Sequence, residues 1–455
     1  MDLSTLTAIS PIDGRYGEKL ADLRDLFSEF ALMRYRLKVE IRWLKTLADC
    51  PEIQEIPKLS FHAEQFLEKL VDQFSEQDAH RIKQIEATTQ HDLKAIEYFL
   101  KEKCAFQEEL VCVLEFIHFG CTSEDINNLS YALMIKTARQ QYLLPLIDEL
   151  IHRLEQMTHE YAEVSMLART HGQPASPTTL GKEIMNFVER LKYCEKRIID
   201  ISIFGKWNGA TGNYHALSMA YPALDWPVIA KYFVETLGLD FNAYTTQIEP
   251  HDWIADLSQS IAHLNTVLIG FCQDTWFYIA QNYLVRKTFD QEIGSSVMPH
   301  KVNPIEFENA EGNLGLANAL FDFFARKLPI SRLQRDLSDS TVLRNIGIAF
   351  AHSILAYQSI ESGLSRLSPN KEKLDGDLNH HWEILAEAVQ TMMRRYNLPE
   401  PYERLKAFSR GKIITRELLH QFIDGLELPE AEKTKLKTLT PQEYTGLAAL
   451  LAMET

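Results

Sequence analysis

Apolar residues recur at steps of three and four over three long stretches of this chain. Leu143, Ile147, Leu150, Leu154, Met157 and Tyr161 make the first stripe, and Ile184, Phe187, Leu191, Cys194, Ile198 and Ile201 the second. Ile254, Leu257, Ile261, Leu264, Leu268 and Phe271 make the third. This spacing keeps an apolar face along one side of a helix, as a long helix needs to pack against neighbours at shallow angles. No sustained alternation of period two occurs, so few strands are expected. The pattern predicts an all-α fold in three domains. These are shorter helices over residues 1–111, a central long-helix bundle over 112–365, and a C-terminal helical domain over 366–455 that follows a polar break at SRLSPNKEKLDGD, residues 365–377.

Composition narrows the function. Of the 455 residues, 45% are hydrophobic and 24% charged, as in ordinary globular proteins, which excludes a disordered or fibrous chain. Asp and Glu total 63 against 47 Lys and Arg, a formal charge of −16. Such a field repels nucleic acid and anionic membrane, so an anionic ligand needs local basic groups to overcome it. Cys50, Cys104, Cys112, Cys121, Cys194 and Cys272 form no C-x-x-C pair and read as the reduced thiols of a cytosolic protein. The N-terminus has no basic start followed by an apolar run, and nowhere is there an apolar stretch of about 18 residues. The expectation is a protein neither exported nor membrane-spanning. Phosphate-loop, dinucleotide and H-E-x-x-H zinc motifs are absent, and the adjacent pair His380–His381 reads as surface.

Four polar segments between the helices carry candidate chemistry. In FGCTSEDINN, Thr122 and Ser123 precede acidic residues at capping-box spacing; the same free N–H groups and hydroxyls can bind a carboxylate or phosphate. In RTHGQPASP, His171 stands among Gly172, Pro174 and Pro177, so it belongs to a loop. There it is a hydrogen-bonding surface residue or a proton donor and acceptor, histidine being the side chain that ordinarily titrates near neutrality. In TTQHDLK, His91 and Asp92 open a helical run, which suits first-turn chemistry. In GSSVMPHKVNP, residues 294–304, Asn303, Pro304 and Glu306 read as the start of the next helix. Gly294, Ser295, Ser296, Met298, Pro299 and Lys301 are left as a donor-rich loop with a cation, suited to an anion or to charge developing on a carboxylate.

That last stretch resembles the signature loop of the fumarase/aspartase superfamily, G-S-S-x-M-P-x-K-x-N-P, at nearly every position. SPIDGRYG (10–17), TTQHD (88–92), FGCTSEDINN (119–128), RTHGQPA (169–175), YTTQIEPHD (244–252) and LPISRLQRDLSDSTVLRN (328–345) extend the resemblance to bacterial-type adenylosuccinate lyases over essentially the whole chain. The resemblance implies the three-domain fold of that superfamily. It also implies β-elimination of fumarate from adenylosuccinate, giving AMP, and from the succinylated aminoimidazole carboxamide ribotide (SAICAR), giving AICAR. No cofactor and no metal are implied. The expected assembly is a cytoplasmic homotetramer with active sites shared between chains.

Carried over by position, Ser295 is the implied general base and His171 the general acid. Lys301 and Asn303 hold the carboxylate whose charge grows, and Thr122, Ser123, Gln247 and Ser296 bind the rest of the succinyl group. Arg15, Tyr16, Arg335, Ser340 and Arg344 form the phosphate site, the planar guanidinium fork suiting phosphate. Gln90, which stands where the family has Asn, joins His91 and Asp92 as substrate-binding residues, with Val302, Asn309, Thr341, Val342 and Leu343. Another fumarate-releasing enzyme, such as an argininosuccinate lyase, or a catalytically silent scaffold are the alternatives to this reading.

Overall fold

The computed structural model describes residues 2–287, 298, 302–411 and 413–454. The chain is 64% helical and 4% strand. The three stripes centre on the helices Leu144–Glu160, Leu180–Asp200 and Asp252–Ala280, with Leu143 in the π-helical turn Arg139–Leu143 before the first and Tyr161 just past its end. Their apolar positions are buried, apart from Ile201, which falls beyond the end of its helix and is half-exposed. Local signals set the starts of shorter helices. Ser28 Oγ accepts the Ala31 N–H at the head of Glu29–Ala48, and Ser75 and Asp78 exchange the two bonds of a capping box before Glu76–Thr89.

The chain divides into two compact units. The first comprises Met1–Leu146, Cys194–Thr266 and Asn313–Ala356. Its core includes Trp43, Trp207, Trp226 and Phe233, with Trp207 4.6 Å from both Trp43 and Phe233 between ring centres. Trp43 Nε1 donates to the Phe119 carbonyl at 2.9 Å, which ties this core to the segment leading into the Ser123–Ala138 helix.

The second unit comprises Ile147–Tyr193, Val267–Gly312 and Tyr357–Thr455. Here Gly181 is required: a Cβ would lie 2.4 Å from the Thr158 carbonyl oxygen and 2.8 Å from Ala162, so the Leu180–Asp200 helix starts hard against the end of Leu144–Glu160. A C-terminal core gathers Leu378, Leu385, Val389, Met393, Leu419 and Ile423.

Among the described residues, eight short strands form four two-stranded pairs. One pair corrects the expected polar break at 365–377. Leu367–Pro369 pairs antiparallel with Leu284–Arg286, and Lys371–Asn379 is a helix capped by Asn370. Only Leu374 and Leu378 of that helix are buried, one narrow stripe, so the polar majority disguised it. All six cysteines are free thiols, and no helix among the described residues is long and apolar enough to cross a membrane.

Candidate active site

In the first unit, the start of the Ser123–Ala138 helix anchors a chain of polar contacts. The Thr122 N–H donates to the Asp125 carboxylate at 2.8 Å, so the cap read from the sequence is present. Asp125 does more than cap. It is fully buried, pairs with the equally buried Lys206 at 2.9 Å, and accepts the backbone N–H groups of Asn208 and Gly209, each at 3.1 Å. Thr122 and Ser123, both half-buried, therefore stand on a rigid turn.

One residue along, buried Glu124 receives Arg335 at 2.7 Å and Asn127 Nδ2 at 2.7 Å. Asn127 Oδ1 accepts from Arg36 Nε at 2.9 Å, Arg36 pairs with Asp92 at 2.8 Å, and Asp92 with Arg344 at 3.1 Å. Arg344 also reaches Glu29 at 3.0 Å. A continuous network thus joins Arg335 to Arg344, two arginines the sequence reading named. Burial pushes the Asp92 carboxyl up, but the charge and hydrogen bond of Arg36, with Arg344 further out, outweigh it and hold the group below its ordinary range. Each guanidinium has five N–H donors, more than these contacts use, so the fork keeps capacity for an anion.

The other named residues of this unit gather around the same network. The Gln247 N–H donates to the Gln334 carbonyl at 3.3 Å, bringing its loop beside Arg335. Ser340 and Thr341 lie in the Ser338–Leu343 helix with half-buried Val342, while Leu343 turns a buried side chain inward. The turn-rich segment bearing exposed Arg15 and half-buried Tyr16 meets Arg344 across a cavity of about 270 Å³ lined by Ile12, Asp13, Phe27 and Gly347. His91 caps the Asp92–Cys104 helix, its Nδ1 accepting the Lys94 N–H at 3.2 Å. Gln90 ends the preceding helix in the left-handed region, φ 53°, and its side chain donates to the Ala87 carbonyl at 2.8 Å. Asparagine tolerates that backbone better than glutamine does.

Arg36, Glu124, Asp339 and His251 were not named from sequence. Arg36 had a signal: it sits on the apolar stripe of Glu29–Ala48, between Met33 and Trp43, and is 2% exposed. His251 is also buried, pushed down by desolvation but raised on balance to about 9 by Asp339 and Glu249, each 3.6 Å from its ring.

In the second unit, Arg169–Thr170 and Gln173–Pro174 form a two-residue hairpin with His171 and Gly172 at the tip, both at positive φ (53° and 74°). This is the turn that matches the twist of paired strands, and glycine suits its second position. His171 is exposed at the turn. Arg169 anchors the hairpin, donating to Gln281 at 3.2 Å and lying 3.9 Å from Asp377. Arg169 and Gly172 line a cleft of about 740 Å³ with Asp274, Tyr278 and Tyr283. Val302 and Asn303 are half-buried and precede the Ile305–Lys327 helix, on whose first turns Asn309 is exposed. Glu306, read with Asn303 and Pro304 as the start of that helix, lies in its first turn and is buried against Arg286 at 2.6 Å and Arg366 at 3.3 Å. Ser295, Ser296 and Lys301 lie outside the described residues.

Glu40, His118 and Cys121 bring three donor atoms within 4.8 Å of one another. His118 Nδ1 stands 2.6 Å from Glu40 Oε1, a direct hydrogen bond. Two ligands of one tetrahedral zinc at 2.0–2.1 Å would stand about 3.3 Å apart. The trio is an ion pair beside a thiol that burial, and then Glu40, push well above its usual range.

A lyase family model matches residues 14–318, and an adenylosuccinate lyase C-terminal model matches residues 331–445. Over 98% of both chains the sequence is 55% identical to an adenylosuccinate lyase of Vibrio cholerae. It is 53% identical to one of Escherichia coli over 100% of both, and 53% identical to one of Haemophilus influenzae over 99% of both. Among solved structures, the fold is similar to a fumarate lyase from Mesorhizobium, with TM-score 0.76 and 17% identity over 95% of this chain and 96% of that one. It is also similar to a 3-carboxy-cis,cis-muconate lactonizing enzyme from Pseudomonas putida, with TM-score 0.74 and 18% identity over 95% of both.

Proposed function

The chain belongs to the adenylosuccinate lyase family, and from that membership we propose how its residues carry the reaction. It is a carbon–nitrogen lyase that releases fumarate from adenylosuccinate. Likeness to adenylosuccinate lyases along the whole chain, in the lyase region and the C-terminal region alike, is the observation that carries this reading. Nothing comparable favours an argininosuccinate lyase or a silent scaffold.

Elimination removes a proton from the succinyl carbon next to a carboxylate and breaks the bond from the neighbouring carbon to the purine nitrogen. In the proposed mechanism Ser295 takes the proton and the electron pair collects on the adjacent carboxylate, where Lys301 and Asn303 offset the growing charge. The pair then returns to form the double bond of fumarate as the C–N bond breaks, and His171 supplies the proton that the leaving nitrogen needs. A serine is a weak base in water, so its role requires activation by surrounding positive charge and exclusion of solvent. Thr122, Ser123, Gln247 and Ser296 hold the succinyl portion.

Arg15, Tyr16, Arg335, Ser340 and Arg344 hold the phosphate, the local positive charge that a chain of formal charge −16 needs. Gln90, His91, Asp92, Val302, Asn309, Thr341, Val342 and Leu343 complete the pocket. The same chemistry extends to SAICAR, giving AICAR. We further propose three domains at the boundaries predicted from sequence, a cytoplasmic location, and a homotetramer sharing its active sites. Exposed Tyr193, Trp276, Phe277, Leu316 and Phe323 on the long helices are surfaces that partner copies would cover.

The test is an ultraviolet absorbance time course with adenylosuccinate, with fumarate assayed in the same tube. Equal loss of substrate and gain of fumarate is expected, and a folded protein that leaves the substrate intact would overturn the reading. Arg344→Ala should raise KM about tenfold to a hundredfold, the contribution of one charge-assisted hydrogen bond, with kcat little changed. An unchanged KM would remove Arg344 from the phosphate site.

A further inference from the structure

His251 lies between two stretches of the proposed substrate site, the loop that bears Gln247 of the succinyl end and the Ser338–Leu343 helix that bears Ser340 of the phosphate end. It is 2% exposed and adopts φ 65°, a left-handed conformation that a histidine holds only when its surroundings impose it. Its own N–H donates to Glu249 Oε2 at 2.7 Å, and Glu249 Oε1 accepts from Asn242 at 2.9 Å, so the loop bearing Gln247 closes on the histidine. From the other side Asp339, in the Ser338–Leu343 helix, brings Oδ2 to 3.6 Å from His251 Nε2. Neither atom has a hydrogen-bond partner although both are buried, so each is the other's available partner.

The second oxygen of Asp339 faces Arg335 at 3.9 Å, and Arg335 already pairs with Glu124 at 2.7 Å. Three carboxylates, Glu124, Glu249 and Asp339, therefore surround two cationic side chains, Arg335 and His251. Asp339 Oδ1 also accepts the Ser340 N–H at 2.8 Å, but without the imidazolium the guanidinium is the one cation left beside the carboxylate among the described residues. A guanidinium clamped between Glu124 and Asp339 has lost the fork that phosphate needs.

We propose that His251 is a positioning residue for nucleotide binding: by holding the Asp339 carboxylate it keeps Arg335 available to the substrate's phosphate. The proposal rests on the functional reading above, which assigns Arg335 to phosphate. Burial lowers the affinity of His251 for its proton, but Asp339 and Glu249 raise it on balance to about 9. Burial likewise raises the Asp339 carboxyl, while His251 and Arg335 more than reverse this. The raised value means that the cationic form is present through neutral pH and is lost as pH climbs through about 9.

The experiment measures kcat and KM for adenylosuccinate from pH 7 to 9.5 in the wild type, His251→Gln, Asp339→Asn and the double variant. His251→Gln should raise KM about tenfold, roughly the worth of one charge-assisted hydrogen bond, with kcat within about threefold. Wild-type KM should climb above pH 9, and this climb should be missing from both single variants. In the double variant the competing carboxylate is gone, so KM should return to within about threefold of wild type, where two merely structural lesions would add.

A double variant no better than His251→Gln overturns the proposal. If His251→Gln does not fold, Asp339→Asn decides alone, and a climb that survives in it overturns the proposal. A wild type that releases no fumarate fails the functional reading instead. Binding of inorganic phosphate by calorimetry, with the same variants and the same expected order of affinities, then decides the role of His251.

Discussion

Replacing His171 with asparagine should lower kcat by about 10³-fold, mid-range for the loss of a general acid. Asparagine is the informative substitute because His171 occupies the first left-handed position of a two-residue hairpin turn, which asparagine tolerates and alanine does not. The side chain is exposed and the hairpin is anchored through Arg169, so circular dichroism and the thermal transition should match those of the wild type. Ser295→Ala should fall by a similar factor while remaining folded. A kcat within tenfold of wild type for either variant would strip that residue of its assigned role.

Lys206→Met is the substitution expected to cost the most stability, about 3–5 kcal/mol, because it leaves Asp125 as a buried carboxylate without its cation. That is a large share of the roughly 5–15 kcal/mol that holds a domain folded. Asp125 also braces Thr122, Asn208 and Gly209, so the surviving folded fraction should bind substrate less well. Urea unfolding followed by tryptophan fluorescence reads the change directly, since Trp207 is fully buried beside Lys206 in sequence. Adding Asp125→Asn to Lys206→Met should recover part of the loss by removing the unpaired charge. A midpoint unchanged by Lys206→Met would mean that the pair contributes nothing net.

Elements with a wide apolar stripe were legible from the sequence. Every predicted stripe position in the Leu144–Glu160 and Asp252–Ala280 helices is buried, although the second helix also buries residues beside its stripe, such as Trp253, Ala262 and Val267. The Lys371–Asn379 helix was not legible, because only Leu374 and Leu378 face inward and the rest reads as a loop. Thr122 and His91 were correctly read as helix-start residues, for their partners lie three residues away. Arg36 left a local trace, a cation on an apolar stripe, yet its partners Asp92 and Asn127 lie far along the chain. Nothing in EPHD marks His251 as a buried cation, since Asp339 is as distant again.

The sequence by itself determined the helical class, the family through its motifs, and the residue types that can move a proton or bind phosphate. These depend on spacing within a helix turn or on a contiguous motif, and short-range geometry is set by covalent connection. Only the tertiary structure decided which charges meet. It put Lys206 against Asp125, Arg335 against Glu124 and Arg344 against Asp92, and it set His251 between Glu249 and Asp339. Charge pairing across a fold carries no periodicity. Its strength depends on burial and on separations of a few ångströms, quantities that exist only once the helices have packed.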